Sequence, residues 1–329
     1  MSSLNALLVA VDAGPRETLL PLAKHLGLEI TSDGDWPQRV RSQQPRLVVV
    51  GTSDSARGRA IEGAARRAAG AAAVPIVAIE DFPGNYAYVE GGEAQLVIVE
   101  SEPAREIHLR RSGLRGPPAE VFPLCRYDPY RARLTQLRQD TGRSWAAADA
   151  PRVLWAGQPE TADSVATLAA LAPLLREQRV ELLFKAHPRD PGYAEGRYHV
   201  LLENAGVPFL DVTAASVHEA LSLAPRLVVT QFSSVAIEAG FYGIPALWVL
   251  LPGAGLARLQ EKKGCGTPPP CAAGAAAAAF SDATLQVEFG RALHDDACRT
   301  RLMRCFDAYF EVHTEAAPKT AARLRTLAL

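Results

Sequence analysis

The chain has 329 residues, 48% of them hydrophobic and 22% charged, which is about two domains of ordinary globular composition. Those proportions exclude a disordered chain, a collagen-like repeat and a small disulfide scaffold. Thirty-five basic side chains stand against 36 acidic ones, a formal net charge of −1, so the cationic excess of a protein that tracks phosphate backbones is missing and no nucleic-acid partner is expected.

The longest apolar stretches, such as Ile244 to Leu251, run about eight residues against the roughly 20 needed to span a bilayer. Asn5 to Val11 reads as a short strand ended by Asp12, not as an export signal. The expectation is a cytoplasmic protein with no transmembrane segment, with peripheral membrane contact left open. Five cysteines (Cys125, Cys265, Cys271, Cys298, Cys305) lack the paired spacing of a zinc site, and Cys265 and Cys271 bracket a proline-rich loop as an incidental pair. No metal and no cofactor are expected.

Along the chain, short apolar runs alternate with helical patterns, the signature of βαβ units and parallel sheets. In the first half, strands are expected at Ala6–Val11, Leu28–Thr31, Arg46–Gly51, Val74–Glu80, Ala94–Glu100 and Glu120–Leu124. Helices are expected between them at Pro15–Leu26, Trp36–Gln43, Ala56–Ala69 and Pro103–Ser112. Arg57, Arg59, Glu62, Arg66 and Arg67 dilute the third helix and suit a solvated face. Tyr127 to Ala150 turns polar and arginine-rich, a helix and linker between an N-terminal domain over 1–126 and a C-terminal domain over 151–329. The second half restarts with strands at Arg152–Ala156, Glu181–Lys185, Pro208–Val212, Leu227–Thr230 and Ala246–Leu251. Its helices are expected at Asp163–Glu177, Tyr193–Ala205, Ser216–Leu223 and Ser234–Tyr242. The alanine tract ending at Ala279 is expected to start a helix, and Asp282–Leu293 and Asp296–Val312 read as terminal helices, the last of which could pack back on the N-terminal domain.

Three strand-to-turn junctions carry the chemistry. In Phe184-Lys185-Ala186-His187-Pro188-Arg189-Asp190, Pro188 stops a strand and three potential cations gather at its carboxyl end, where open α/β sheets take ligands. In Thr230-Gln231-Phe232-Ser233-Ser234, a strand runs into two serines and a helix. Either serine suits a simple N-cap, and the pair also suits a phosphate cradle, with Glu238 one turn on and placed for a ribose diol. The third junction is Trp155-Ala156-Gly157-Gln158-Pro159-Glu160, followed by Asp163-Ser164. Of the remaining histidines, His25 and His108 lie in amphipathic helices beside leucines, His218 follows Ser216 in a first helical turn, and His199, His294 and His313 lack a partner pattern. No Walker A, His-Glu-x-x-His, Gly-x-Ser-x-Gly or Gly-x-Gly-x-x-Gly motif occurs, which weighs against P-loop, metalloprotease, α/β-hydrolase and dinucleotide chemistry.

The order of these junctions over Arg152 to Leu251 resembles the nucleotide-binding half of the GT-B fold, two Rossmann-like domains facing across a cleft. Lys-x-His-Pro followed about 45 residues later by Ser-Ser resembles bacterial glycosyltransferases with cytidine-nucleotide donors: sialyltransferases, CDP-glycerol polymerases and capsule-type Kdo transferases. Ser-Ser with the later Glu-Ala and Gly-x-Pro also resembles UDP-sugar 2-epimerases and related hydrolases. The resemblance implies a metal-independent transferase that moves a sugar from a CMP- or CDP-linked donor to a glycan or small-molecule acceptor in surface polysaccharide or glycoconjugate synthesis. The donor would be held by Gln158, Lys185, His187, Pro188, Arg189, Ser233, Ser234 and Glu238. His187 is also placed among the catalytic residues. In the first half, Asp81-Phe82-Pro83-Gly84-Asn85-Tyr86 resembles the cleft border of such enzymes, but the sialyltransferase signature of two acids followed by Gly is absent. The base is therefore drawn from Asp12, Asp54, Glu80 and Asp81, with Asp81 and Asp12 preferred. A UDP-sugar epimerase or hydrolase, or a non-catalytic binding protein of the same shape, are the alternatives.

Overall fold

The computed structural model describes residues 4–113, 116–147 and 150–328. They form two compact units, one of Met1–Ala132 with His313–Leu329 and the other of Arg133–Val312.

The first unit holds a six-stranded sheet of β1 (Ala6–Val9), β2 (Ile30–Thr31), β3 (Leu47–Val50), β4 (Ile76–Ile79), β5 (Leu96–Val99) and β6 (Ala119–Val121). The order is β2-β1-β3-β4-β5-β6 and every pairing is parallel. Leu47, Val48, Val49 and Val50 are all at most 1% exposed, because helices cover both faces of a parallel sheet and its strands become continuous apolar runs. The helices start where short polar side chains can cap them. Asp35 accepts from the Gln38 amide, Ser55 from Gly58 and Ser101 from Ala104.

The second unit repeats the plan with β7 (Arg152–Ala156), β8 (Glu181–Lys185), β9 (Phe209–Asp211), β10 (Leu227–Thr230), β11 (Ala246–Val249) and β12 (Ala277–Ala279). The order is β12-β11-β10-β7-β8-β9, again all parallel. Its core packs Trp155, Phe184, Tyr198 and Phe289 around the sheet. Strand order reverses between β1 and β3 in one sheet and between β7 and β10 in the other. Open α/β sheets bind ligands outside the carboxyl ends of strands at such reversals.

Three expectations need correction. The alanine tract does not open a helix: Ala277–Ala279 is a strand in register with Leu247–Val249. A vacant parallel slot beside β11 outweighs alanine's helix propensity, which is a weak prior. The helix expected over Tyr193–Ala205 is two, Pro191–Ala194 and Arg197–Asn204, broken at Gly196 with φ of +70°. The helix expected within the polar stretch 127–150 is present, as Asp128–Arg131 and Leu134–Ala147, and residues 148–149 lie outside the described ones. Finally, Asp296–Tyr309 is not the last helix. A further one, Ala316–Leu327, belongs to the first unit. Its own N-cap, Glu315, makes no side-chain bond. Asp128 supplies the cap instead, accepting from the amides of Ala316 at 2.9 Å and Ala317 at 2.8 Å. Arg323 binds Glu120 at 2.8 Å, and Cys125 lies buried against Thr320, its thiol pushed up to about 12 by burial.

Packing is close where the helix Val235–Phe241 crosses Asp296–Tyr309. A Cβ on Gly240 would sit 2.2 Å from the Phe306 ring, which is itself held by Phe310 at 4.6 Å and Phe241 at 5.3 Å. Gly240→Ala is therefore expected to destabilise the fold by about 1–3 kcal/mol, as overpacking does. A urea midpoint equal to wild type would show that the ring can move aside.

Candidate functional site

In the second unit three turns leave the carboxyl ends of adjacent strands β8, β7 and β10. After β7, the Gly157 amide donates to Lys185 O at 2.9 Å and the Gln158 amide to Ser164 Oγ at 3.2 Å. Ser164 is fully buried and Gln158 is 7% exposed, so the turn is drawn inward onto the start of the helix Thr161–Glu177. Thr230 Oγ1 donates to Ala156 O at 2.6 Å, which binds the end of β10 to the end of β7 where strand order reverses.

After β8, the half-buried His187 accepts from the Arg189 amide through Nδ1 at 3.1 Å. That bond places the proton of the neutral ring on Nε2. Burial, reinforced by the Arg189 charge, lowers the His187 pKa, so near pH 7 the ring is a neutral Nε2–H donor and not one of three cations. Asp190 anchors the turn from below, accepting from the Gly192 amide at 2.9 Å and from the hydroxyls of Thr161 and Tyr198. Pro188 and Arg189 are exposed, and the Arg189 guanidinium has no protein partner among the described residues.

Lys185 departs from its expected role. Its Nζ donates to Val212 O at 3.4 Å, Thr213 O at 3.2 Å and Ala215 O. Three ammonium protons thus meet three carbonyls, and the side chain clamps the loop after β9, with the Ala186 amide adding a bond to Thr213 Oγ1 at 3.0 Å. Burial lowers the Lys185 pKa, opposed by Asp211 and Glu219.

After β10, Gln231 is buried and donates to Thr167 Oγ1 at 2.8 Å. Ser233 Oγ accepts from the Val235 amide at 3.3 Å, while Ser234 has helical backbone angles and makes no side-chain cap. Ser234 Oγ instead lies 3.4 Å from Glu238 Oε1, and Glu238 is 8% exposed. Among the described residues the amides of Ser233 and Ser234 reach no protein acceptor. These donors and the His187 Nε2–H suit an anion.

A cation missed by the sequence reading is Arg258, whose Nε lies 2.8 Å from Asp163 and whose NH1 lies 3.6 Å from Glu160. It follows a turn over Pro252–Leu256 in which Gly255, at φ +98°, lies against Gln231. The glycines after β11 were the available signal.

The first unit sorts the four candidate bases. Asp12 accepts from the Ser55 amide at 2.8 Å and Ser55 Oγ at 2.6 Å, a structural tie between β1 and the helix Ala56–Ala71. Glu80 is 2% exposed and accepts from Tyr86 N at 2.9 Å and Gly84 N at 3.1 Å, with His108 Nδ1 at 3.7 Å. It folds the loop after β4. Asp54 is exposed and paired with Arg59 at 3.2 Å. Asp81 is half-buried at the end of β4, its Oδ1 accepting from Thr52 Oγ1 at 2.9 Å and Asn85 Nδ2 at 3.1 Å. A Cβ on Gly14 would come within 2.4 Å of Asp81 Oδ2, so any larger residue there would displace the Asp81 carboxylate.

Two residues assigned to a solvated face are buried. Glu62 is 4% exposed and accepts from Ser53 Oγ at 2.6 Å, Ser53 N at 2.8 Å and Val11 N at 3.3 Å. Burial raises its pKa against these bonds. Arg66, one turn on and 5% exposed, donates to Tyr86 OH at 2.7 Å and to Ala87 O and Gly92 O at 2.8 Å. Among the described residues no group of three or more His, Cys, Asp or Glu could hold a metal ion, and no helix is long and apolar enough to cross a membrane.

The sequence matches no family model, and a search of curated proteins gives no match. Solved structures do match over nearly the whole chain. A Listeria monocytogenes protein provisionally assigned as a UDP-N-acetylglucosamine 2-epimerase shares 13% identity at a TM-score of 0.67, over 99% of this chain and 96% of that one. HepE from Anabaena in complex with UDP shares 14% at 0.64, over 98% and 100%. A Rickettsia africae glycosyltransferase shares 10% at 0.63, over 98% and 97%. The chain therefore has the GT-B fold, as its strand-end motifs implied.

Two outcomes follow from the buried charges. Lys185→Met should free the loop after β9, seen as faster hydrogen exchange at Thr213 to Ser216. Unchanged protection would mean the clamp is idle. For His108, burial lowers the pKa, but hydrogen bonds to Glu80 and Pro117 O and the Glu80 charge raise it further, and the net shift is upward. A folded pKa above the unfolded value of about 6.5 stabilises fully below that pH and is lost as pH rises through the folded value. The stability advantage of wild type over His108→Gln should accordingly shrink on going from pH 6 to pH 9. Urea midpoints across that range measure it, and an advantage that grows would mean a neutral His108.

Proposed function

We propose that the second unit binds a pyrimidine nucleoside diphosphate sugar at the carboxyl ends of β7, β8 and β10, and that the protein is a glycosyltransferase. The observation that carries this is a row of uncharged donors at the carboxyl ends of the adjacent strands β10, β7 and β8, beside the strand-order reversal. The Nε2–H of His187 and the amides and hydroxyls of Ser233 and Ser234 have the character of a site for the negative charge that grows as a nucleotide leaves. Arg189 adds an exposed positive charge, Glu238 takes the ribose diol, and Gln158 shapes the turn beneath them. Neutralisation by protein groups requires no metal. Asp81, with Oδ1 oriented by Thr52 and Asn85, is the residue we assign as base toward the acceptor hydroxyl of a glycan or small molecule.

The Lys-x-His-Pro and Ser-Ser pattern supports a cytidine-linked donor, and the UDP held by HepE supports a uridine-linked one. The same nucleotide site would serve a UDP-sugar 2-epimerase or hydrolase, a second reading favoured by the likeness to the Listeria protein. Incubating the protein with a UDP-sugar alone separates them: epimerised or hydrolysed sugar by NMR without any acceptor supports the second, and turnover only with an acceptor supports the first.

Calorimetry with UDP, CDP, CMP and the free nucleosides tests the site itself. His187→Ala should weaken nucleotide binding at least about tenfold, some 1.4 kcal/mol, with the fold intact. The double change Ser233→Ala with Ser234→Ala should reduce affinity for nucleotides and spare nucleosides, whereas Glu238→Gln should weaken both alike. Wild-type affinity in folded His187→Ala would remove the assignment, and a double serine variant altered only in melting temperature would reduce Ser-Ser to a helix start.

A further inference from the structure

The opposite edge of the second sheet carries a different cluster. The helix Leu134–Ala147 brings Trp145 to the amino ends of β7 and β10, where its indole N–H donates to Ala224 O at 2.9 Å and Pro225 O at 3.3 Å. Two guanidinium groups lie over its ring, Arg299 at 4.6 Å and Arg226 at 5.5 Å from the centroid. Arg299 is 9% exposed, and the Nε atoms of both arginines are buried without a hydrogen-bond partner among the described residues. Beside Trp145 open two cavities, of about 290 Å³ and 480 Å³. Arg152, Arg226 and His294 line the first, Arg299 and Arg304 the second, and Asp296 lines both.

The charges here do not cancel. Asp296 serves Arg299 at 3.0 Å and Arg226 at 3.9 Å, yet its carboxylate is 87% exposed, so water screens it from both. Asp307, the other acid on the second cavity, is bound to Arg138 at 2.9 Å. Arg152 is held by Glu181 at 2.7 Å. Arg299 also sits in the first turn of the helix Asp296–Tyr309, where the helix dipole is already positive. Burial and then the neighbouring Arg226 lower its pKa, against the opposing charge of Asp296.

We propose that this cluster is a binding site for a phosphate or diphosphate group, free or carried on a metabolite. It lies at the far end of β10 from the nucleotide turns, about 13 Å along the strand from Arg226 to Thr230, and it shares no residue with them. An oxyanion seated there supplies the counter-charge that Asp296 delivers only weakly, and bidentate guanidinium contacts favour phosphate over chloride.

Titration with inorganic pyrophosphate at constant ionic strength, followed by calorimetry, tests this directly on wild type, Arg226→Gln, Arg299→Gln, Arg152→Gln and His187→Ala. Binding should weaken at least tenfold in Arg226→Gln and persist in His187→Ala. Circular dichroism confirms folding, and the half-exposed Arg152 provides a second variant should a more buried arginine prove essential to it. An additional His187-dependent site would raise the stoichiometry by one and leave the Arg226-dependent site in place. No binding heat at millimolar pyrophosphate, or binding lost in His187→Ala and retained in Arg226→Gln and Arg152→Gln, overturns the proposal.

Discussion

A parallel sheet covered by helices on both faces leaves no polar surface along its strands, so every functional group must stand at a strand end. This constraint organises both units. The central strands are largely apolar through their middles, polar residues such as Lys185, Asp211 and Thr230 come at strand ends, and the side chains that follow inherit a crevice wherever strand order reverses. The bond from Thr230 Oγ1 to Ala156 O closes one reversal at its base and sets the separation of the turns that carry Gln158 and Ser233.

Strand-end turns are irregular and need their own supports. The protein supplies these with buried and partly buried charges, not with further sheet. Glu80 and Arg66 shape the segment after β4, Glu62 joins β1 to β3, Lys185 clamps the loop after β9, Asp190 seats the His-Pro turn, and Asp128 caps a helix 188 residues away in the chain. Removing one partner of such a buried arrangement leaves the other unsatisfied, at a cost of several kcal/mol. The charges therefore specify geometry, and the groups facing the crevice are left mostly neutral. Neutral donors suit a site that must hold a nucleotide and then release it, since fixed cations would favour bound product as strongly as the leaving group.

The arginine cluster at the amino edge follows the opposite logic. There the Nε atoms of Arg226 and Arg299 are the unsatisfied elements, crowded around one indole ring with the exposed carboxylate of Asp296 between them. The two ends of β10 thus differ in kind: one lined with polar hydrogens and little net charge, the other with crowded cations that share an exposed counter-charge.

Much of this was determined by sequence alone. Apolar runs punctuated by Gly, Pro and Ser located eleven of the twelve strands, three of them (Arg152–Ala156, Glu181–Lys185 and Leu227–Thr230) to the residue, because continuous burial writes itself into composition. The junctions at Gly157, His187 and Ser233 were legible for the same reason, as polar residues interrupting an apolar run. The roles of individual charges were not. Glu62 and Arg66 sit in a helix whose pattern reads as solvated, and only the fold of the loop after β4 around them makes them buried. Lys185 looked like a phosphate ligand until the carbonyls after β9 came within its reach. Ala277–Ala279 became a strand because β11 offered an open edge, and Trp145, Arg226 and Arg299 share no local motif although the fold brings them onto one ring. A strand's burial is encoded within a few consecutive residues, whereas a charge's role depends on partners tens or hundreds of residues away, and only tertiary structure chooses those partners.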